Sequence, residues 1–159
     1  NWENMMHKLF QSASVVMLLT ITAPAQADAN ADLKKLVDAY WADLLKEAPI
    51  FASSLGIDTY PQEVGDYSLE ASDRRATTAS VFLKKLQSIP QDRLDAASKV
   101  ESGILARTLN STIEGNSFGQ RAINFTTYSS WHQSFAGMAD NLPFKTKADF
   151  ESYNARLAK

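Results

Sequence analysis

His132 stands among three hydroxyls, Ser129, Ser130 and Ser134, and is one of two histidines in the 159 residues. An imidazole beside a serine is the start of a nucleophilic mechanism. That chemistry also needs an orienting acid and a nucleophile held on a glycine-flanked turn. Neither accompanies His132, so packing beside Trp131, or a place along a surface groove, is the expected role. Zinc chemistry meets the same shortage. There is no H-E-x-x-H helix, no cysteine, and His7, the other histidine, lies in the leader described below. This stretch alone cannot supply three or four metal ligands.

The remaining chemistry-bearing groups are dispersed. A glycosidase-type pair of carboxylates would depend on tertiary placement, and most Asp and Glu fall where helix faces and caps are expected. Gly115, Gly119 and Gly137 have neither P-loop nor dinucleotide-motif spacing. Arg74-Arg75 and Lys84-Lys85 share one helical stretch and read as a solvated face. Asn110-Ser111-Thr112 and Asn124-Phe125-Thr126 fit the glycosylation sequon, a three-residue pattern that arises often by chance. The richest segment is aromatic: Phe118, Phe125, Tyr128, Trp131, Phe135 and Phe144. Such a cluster packs a core or walls a ligand cleft. For the second role the candidates are Phe125, Tyr128, Trp131, His132 and Phe135.

The elements that must position these groups are helical. Leu33, Leu36, Val37, Tyr40, Trp41, Leu44 and Leu45 recur at a 3.6-residue period, behind Asn30 as the expected cap. Pro49 breaks that helix and suits the first turn of another, Ile50 to Leu55, stopped by Gly56. Residues 57–67 are rich in turn formers. Ser68 caps the next helix, with Leu69, Ala76, Ala79, Phe82, Leu83, Leu86 and Ile89 at helical spacing up to Pro90. A fourth helix, about Ala96 to Glu114, carries Val100, Ile104, Leu105, Leu109 and Ile113, and Gly115 is its expected end. Between 115 and 145 the pattern loosens. Ile123 to Thr127 suits an extended conformation, while Tyr128, Trp131, Phe135 and Met138 could share one face of a short helix. Thr146-Lys147-Ala148-Asp149 has the form of a capping box and opens a last helix with Phe150, Tyr153 and Leu157 on one side. No Gly, Asn or Pro closes that helix, so a continuation into a longer protein is expected. The fold class is all-α, an irregular bundle of about five helices.

Composition sets the compartment and the partners. Sixteen Lys and Arg against 18 Asp and Glu leave no electrostatic footprint for nucleic acid. With 45% hydrophobic residues, three Trp, five Tyr and eight Phe, the chain can bury a core and does not read as disordered. At its start, Met5 or Met6 is followed by His7 and Lys8. An apolar run comes next, centred on Val15 to Leu19 and Ile21, and then Pro24-Ala25-Gln26-Ala27. A positive start, a short apolar core and an A-x-A end describe a secretory signal peptide cleaved after Ala27. The run falls short of the about 20 apolar residues that span a bilayer, and no lipid-bearing cysteine is present. The expected product, residues 28–159, is periplasmic or secreted and makes no use of a membrane.

A series of short motifs follows in order. Tyr40-Trp41, Ala48-Pro49-Ile50-Phe51-Ala52 and Leu55-Gly56 come first, then Tyr60, Asp66-Tyr67-Ser68 and Glu70-Ala71. Ile123-Asn124-Phe125, Trp131-His132-Gln133-Ser134-Phe135-Ala136 and Leu142-Pro143-Phe144 continue it. Thr146, Ala148-Asp149-Phe150 and Tyr153-Asn154-Ala155-Arg156-Leu157 complete it. Together they resemble the N-terminal part of a large bacterial family catalogued as domain of unknown function 885, over most of residues 31–159. The resemblance implies a secreted, mostly helical relative of zinc metallopeptidases whose H-E-x-x-H helix lies far beyond residue 159. On that reading residues 28–159 form a non-catalytic helical subdomain. It packs against the later, zinc-holding part of the same protein and lines a cleft for a peptide substrate. The resemblance carries over no catalytic, cofactor-binding or metal-binding residue to this chain. A self-contained periplasmic helical binding module without catalysis is the alternative expectation.

Overall fold

A computed structural model describes residues 22–119, 122, 135 and 137–159, and the leader before residue 22 lies outside it. The described elements are five helices with two short 3-10 turns and no strand. The helices are α1 (Thr22–Glu47), α2 (Pro49–Ser54), α3 (Leu69–Gln87), α4 (Ala96–Ser117) and α5 (Lys147–Leu157). The 3-10 turns are Gln91–Arg93 and Met138–Asn141. The all-α expectation is met.

Three helices build the core. α1 contributes Ala29, Leu33 and Leu36, α3 contributes Ala79, Phe82 and Leu86, and α4 contributes Leu105 and Leu109. Ile89 and Leu94, in the α3–α4 connection, close one end of this cluster. The most extensive pairing is α3 against α4. Small residues on α3, Ala71, Ala76 and Ala79, are buried among the larger side chains. Tyr40 meets the Phe82 ring edge-on, with centroids 5.5 Å apart, a preferred aromatic geometry.

Local chemistry explains most helix ends. The Ser68 hydroxyl accepts a hydrogen bond from Ala71 N at 3.1 Å and starts α3. Gly56, at φ +75°, ends α2 in the left-handed conformation that glycine adopts without steric cost. The Thr146–Asp149 capping box is formed. Thr146 N donates to Asp149 Oδ2 at 2.7 Å, and Asp149 N donates to Thr146 Oγ1 at 3.4 Å.

Several sequence expectations are corrected. Asn30 does not cap α1, because the helix already runs from Thr22; its side chain reaches across to Asp95 instead. Asp95 caps α4 by accepting from Ser98 N at 2.7 Å. α4 passes through Gly115 and stops at Ser117, because the left-handed residue beyond it is Gly119, at φ +72°. On α4 the inward positions are Ser102, Leu105 and Leu109, so Val100 and Ile104 fall outside that row and are each 63% exposed. Leu69 and Trp41 are also largely exposed, and the Trp41 ring packs edge-on to Phe51 at 6.1 Å. Met138 belongs to a 3-10 turn and is buried there.

The last helix departs furthest from its pattern. Phe150 and Leu157 are half exposed, and the residue that α5 buries is Arg156, 2% exposed. Phe144 stacks on Phe150 at 4.7 Å and meets Tyr153 edge-on at 5.4 Å. An aromatic clasp thus holds the apolar side of α5 to the segment before it. Among the described residues no helix is long and apolar enough to cross a membrane.

Candidate functional site

The loop over residues 57–67 lacks regular structure, so side chains from the helices must hold it in place. Asp66 is its hinge. One carboxylate oxygen accepts from Ser68 N at 2.9 Å and the other from Arg74 Nη2 at 3.1 Å. Hydrogen bonding at Ser68, helped by Arg74, pulls the Asp66 carboxyl down to about 2. Arg75 bridges two elements: its Nε donates to Glu47 Oε2 at 3.0 Å, and its Nη2 donates to the Asp66 carbonyl. Gly65 lies between them at φ +100°, where a Cβ would sit 3.2 Å from the Glu47 carbonyl oxygen and 3.4 Å from Pro49 Cδ. Both the backbone angle and the close approach require glycine there.

Arg156 fastens the same loop from the other side. Its Nε donates to the Glu63 carbonyl at 2.9 Å. Its Nη2 donates to Ser53 Oγ at 2.6 Å, to the Tyr60 carbonyl at 3.0 Å and to the Pro49 carbonyl at 3.5 Å. One guanidinium therefore joins α5, α2 and the loop. No carboxylate lies within ion-pair distance of it among the described residues. Burial lowers the Arg156 pKa from its ordinary value, while the fields of Asp58 and Glu63 raise it. A guanidinium remains charged under such opposing influences.

Between the loop, the end of α1 and α5 opens a cleft of about 810 Å³, within the range of small-molecule sites. Tyr60, Tyr67 and Phe135 give it aromatic walls, and Pro49, Val64 and Leu157 add apolar surface. Lys46, Arg156 and Lys159 bring positive charge, and Glu63 and Asp66 bring negative charge. Both carboxylates are already paired, Glu63 with Lys159 at 2.6 Å and Asp66 with Arg74 at 3.1 Å. A smaller cavity of about 180 Å³ lies beside it, also lined by Arg156, with Asp58 and Asp149 in its wall.

Of the five cleft candidates named from sequence, Phe135 lines this cleft. Phe125, Tyr128, Trp131 and His132 lie outside the described residues. Sequence reasoning missed Arg156, Tyr60 and Tyr67 as cleft residues. The one available signal was Arg156 itself, a cation three residues beyond Tyr153, next to the apolar row of α5. Among the described residues no group of three or more His, Cys, Asp and Glu is placed to hold a metal ion. These described residues do not offer a zinc site.

No curated protein and no solved structure matches the chain. A family model described as "Bacterial protein of unknown function (DUF885)" matches residues 49–159, a span that contains α2, the 57–67 loop, α3, α4, α5 and nearly all of the cleft. The chain belongs to this bacterial family, DUF885.

Proposed function

We propose that residues 28–159 are the non-catalytic N-terminal helical part of a secreted, zinc-dependent, peptidase-like hydrolase. The metal-binding part lies further along the same protein, and the cleft beside Arg156 forms one wall of the substrate site. The observation that carries this reading is the cleft itself: a large, aromatic-walled space held open by a dedicated set of hydrogen bonds, with Phe135 in its lining. Zinc, held elsewhere in the protein, would supply an activated water. This part of the chain supplies shape, apolar contact and charge.

The proposed cut after Ala27 falls within α1, ahead of Ala29 and Leu33, the first core residues among those described. The mature protein would then be periplasmic or secreted.

The test is peptide hydrolysis by the full-length exported protein, before and after zinc removal and restoration. Zinc-dependent hydrolysis whose KM rises in a Tyr67→Ala variant, with kcat little changed, supports the reading. Binding at the cleft with no hydrolysis under any zinc condition favours the second reading, a helical binding module without catalysis. The same cleft is the observation that favours that alternative.

A further inference from the structure

Among the described residues, the bonds of Arg156 leave one guanidinium nitrogen without a partner. Nε and Nη2 donate to Glu63, Tyr60, Pro49 and Ser53, whereas Nη1 has no hydrogen-bond partner among the described residues. Nη1 is also not a sealed, unsatisfied atom, so it keeps a slight exposure although Arg156 as a whole is 2% exposed. Arg156 lines two cavities, and their charges differ. The smaller one has Asp58 and Asp149 in its wall, which repel an anion. In the larger cleft, Glu63 and Asp66 are neutralised by Lys159 and Arg74. Lys46 has no ion pair among the described residues, and the cleft lining sets Lys46, Arg156 and Lys159 against Glu63 and Asp66, an excess of positive charge. A cation that is almost fully buried, with no carboxylate at ion-pair distance among the described residues and one donor nitrogen to spare, suits an anion that accepts from it. The walls around it are aromatic and aliphatic: Tyr60, Tyr67, Phe135, Val64 and Leu157.

We propose that this cleft binds an organic carboxylate carried on an aromatic or apolar body, with Arg156 and Lys46 supplying the charge and Tyr60, Tyr67 and Phe135 the apolar contact. The inference rests on the cleft being the ligand site proposed above, and it adds the chemistry of the ligand. A free peptide C-terminus and a small aromatic acid share that chemistry.

The experiment is calorimetric titration of the full-length protein with N-acetylphenylalanine, with its uncharged amide, and with a five-residue peptide ending in phenylalanine with a free carboxylate. The acid is expected to bind at least tenfold more tightly than the amide. Lys46→Ala, at an exposed position, should reduce that preference three- to tenfold while the thermal midpoint stays unchanged. Arg156→Lys keeps the charge but not the fork and should reduce it further; if that variant does not fold, Lys46→Ala decides. Tighter binding of the pentapeptide than of N-acetylphenylalanine supports the proposal and identifies a peptide end as the source. Equal binding supports it and identifies a small acid. Equal affinity for acid and amide, or binding of neither, overturns it. Zinc-dependent hydrolysis without carboxylate preference would overturn this inference alone, and carboxylate binding without hydrolysis would overturn the peptidase reading alone.

Discussion

Arg156 Nη2 donates to Ser53 Oγ at 2.6 Å across 103 residues of sequence. This contact ties the last described helix to the second, and the same guanidinium carries the carbonyls of Tyr60 and Glu63. On the α5 side, the 57–67 loop is therefore held over the cleft by one buried cation. Hydrogen bonds from a charged donor to buried acceptors are individually stronger than neutral ones, and removing the donor leaves the acceptors unsatisfied.

Replacing Arg156 with Met should destabilise the protein by about 3 kcal/mol, since several charge-assisted hydrogen bonds go at once and the chain packing is only partly replaced. Chemical denaturation of the full-length protein measures this. A loss no larger than that of an ordinary surface substitution would show that the loop is held by other means.

Gly65→Ala should cost about 1–3 kcal/mol, the range for a non-glycine residue forced into a sparsely populated backbone region. The added Cβ also crowds the Glu47 carbonyl, 3.2 Å away. Because Gly65 lines the cleft, ligand binding should weaken along with stability. A neutral Gly65→Ala would mean that the loop relaxes freely. Gly56→Ala provides the comparison, as its Cβ would meet nothing within 4 Å.

The core makes a sharper contrast on a single helix. Leu109 is 0% exposed and Ile104 63% exposed, five residues apart on α4. Leu109→Ala should cost about 2–5 kcal/mol through lost burial and a residual cavity. Ile104→Ala should fall within about 0.5 kcal/mol of the parent, as surface changes usually do. Thermal or urea unfolding of both variants checks the inward row Ser102, Leu105 and Leu109 against the row read from sequence, which had included Val100 and Ile104.

That contrast shows where sequence was informative. Caps were legible at Ser68 and at Thr146–Asp149 because each is closed by its own neighbours, within three residues. Asn30 has an equally good capping side chain, but the helix continues upstream and its partner, Asp95, is 65 residues away. Nothing local distinguishes the two situations. Gly115 and Gly119 are likewise the same residue, and only the packing of α4 decides which one terminates it. In the cleft, Phe135 is the one lining residue that aromatic clustering had also singled out. Arg156, Tyr60 and Tyr67 were not singled out, because the loop that brings them together has no periodicity to read.

The pH dependence follows from three capping or hinge carboxylates. Asp66 is drawn down to about 2 by its hydrogen bonds at Ser68 and by Arg74. Backbone hydrogen bonds from Ser98 lower Asp95, and those from Thr146 and Lys145 lower Asp149. A carboxyl whose folded pKa lies below its unfolded value, about 3.9 for Asp, contributes stability that is fully present above the unfolded pKa. That contribution disappears as pH falls through the folded pKa. The thermal midpoint should therefore hold steady from neutral pH down to about 5 and drop between about pH 4 and pH 2. Asp66→Asn should flatten the lower part of that drop. An unchanged profile in this variant would contradict the role given to Asp66.

We propose that this helical part serves a zinc-dependent hydrolase by lining its substrate cleft. The most direct test is a peptide-hydrolysis assay on the full-length exported protein, stripped of metal and then supplied with zinc, alongside its Tyr67→Ala variant. Hydrolysis is expected to vanish with the metal and return with zinc, and the KM of the variant to rise several-fold at nearly constant kcat. Hydrolysis absent in both metal states, or a variant kinetically identical to the parent, would contradict it.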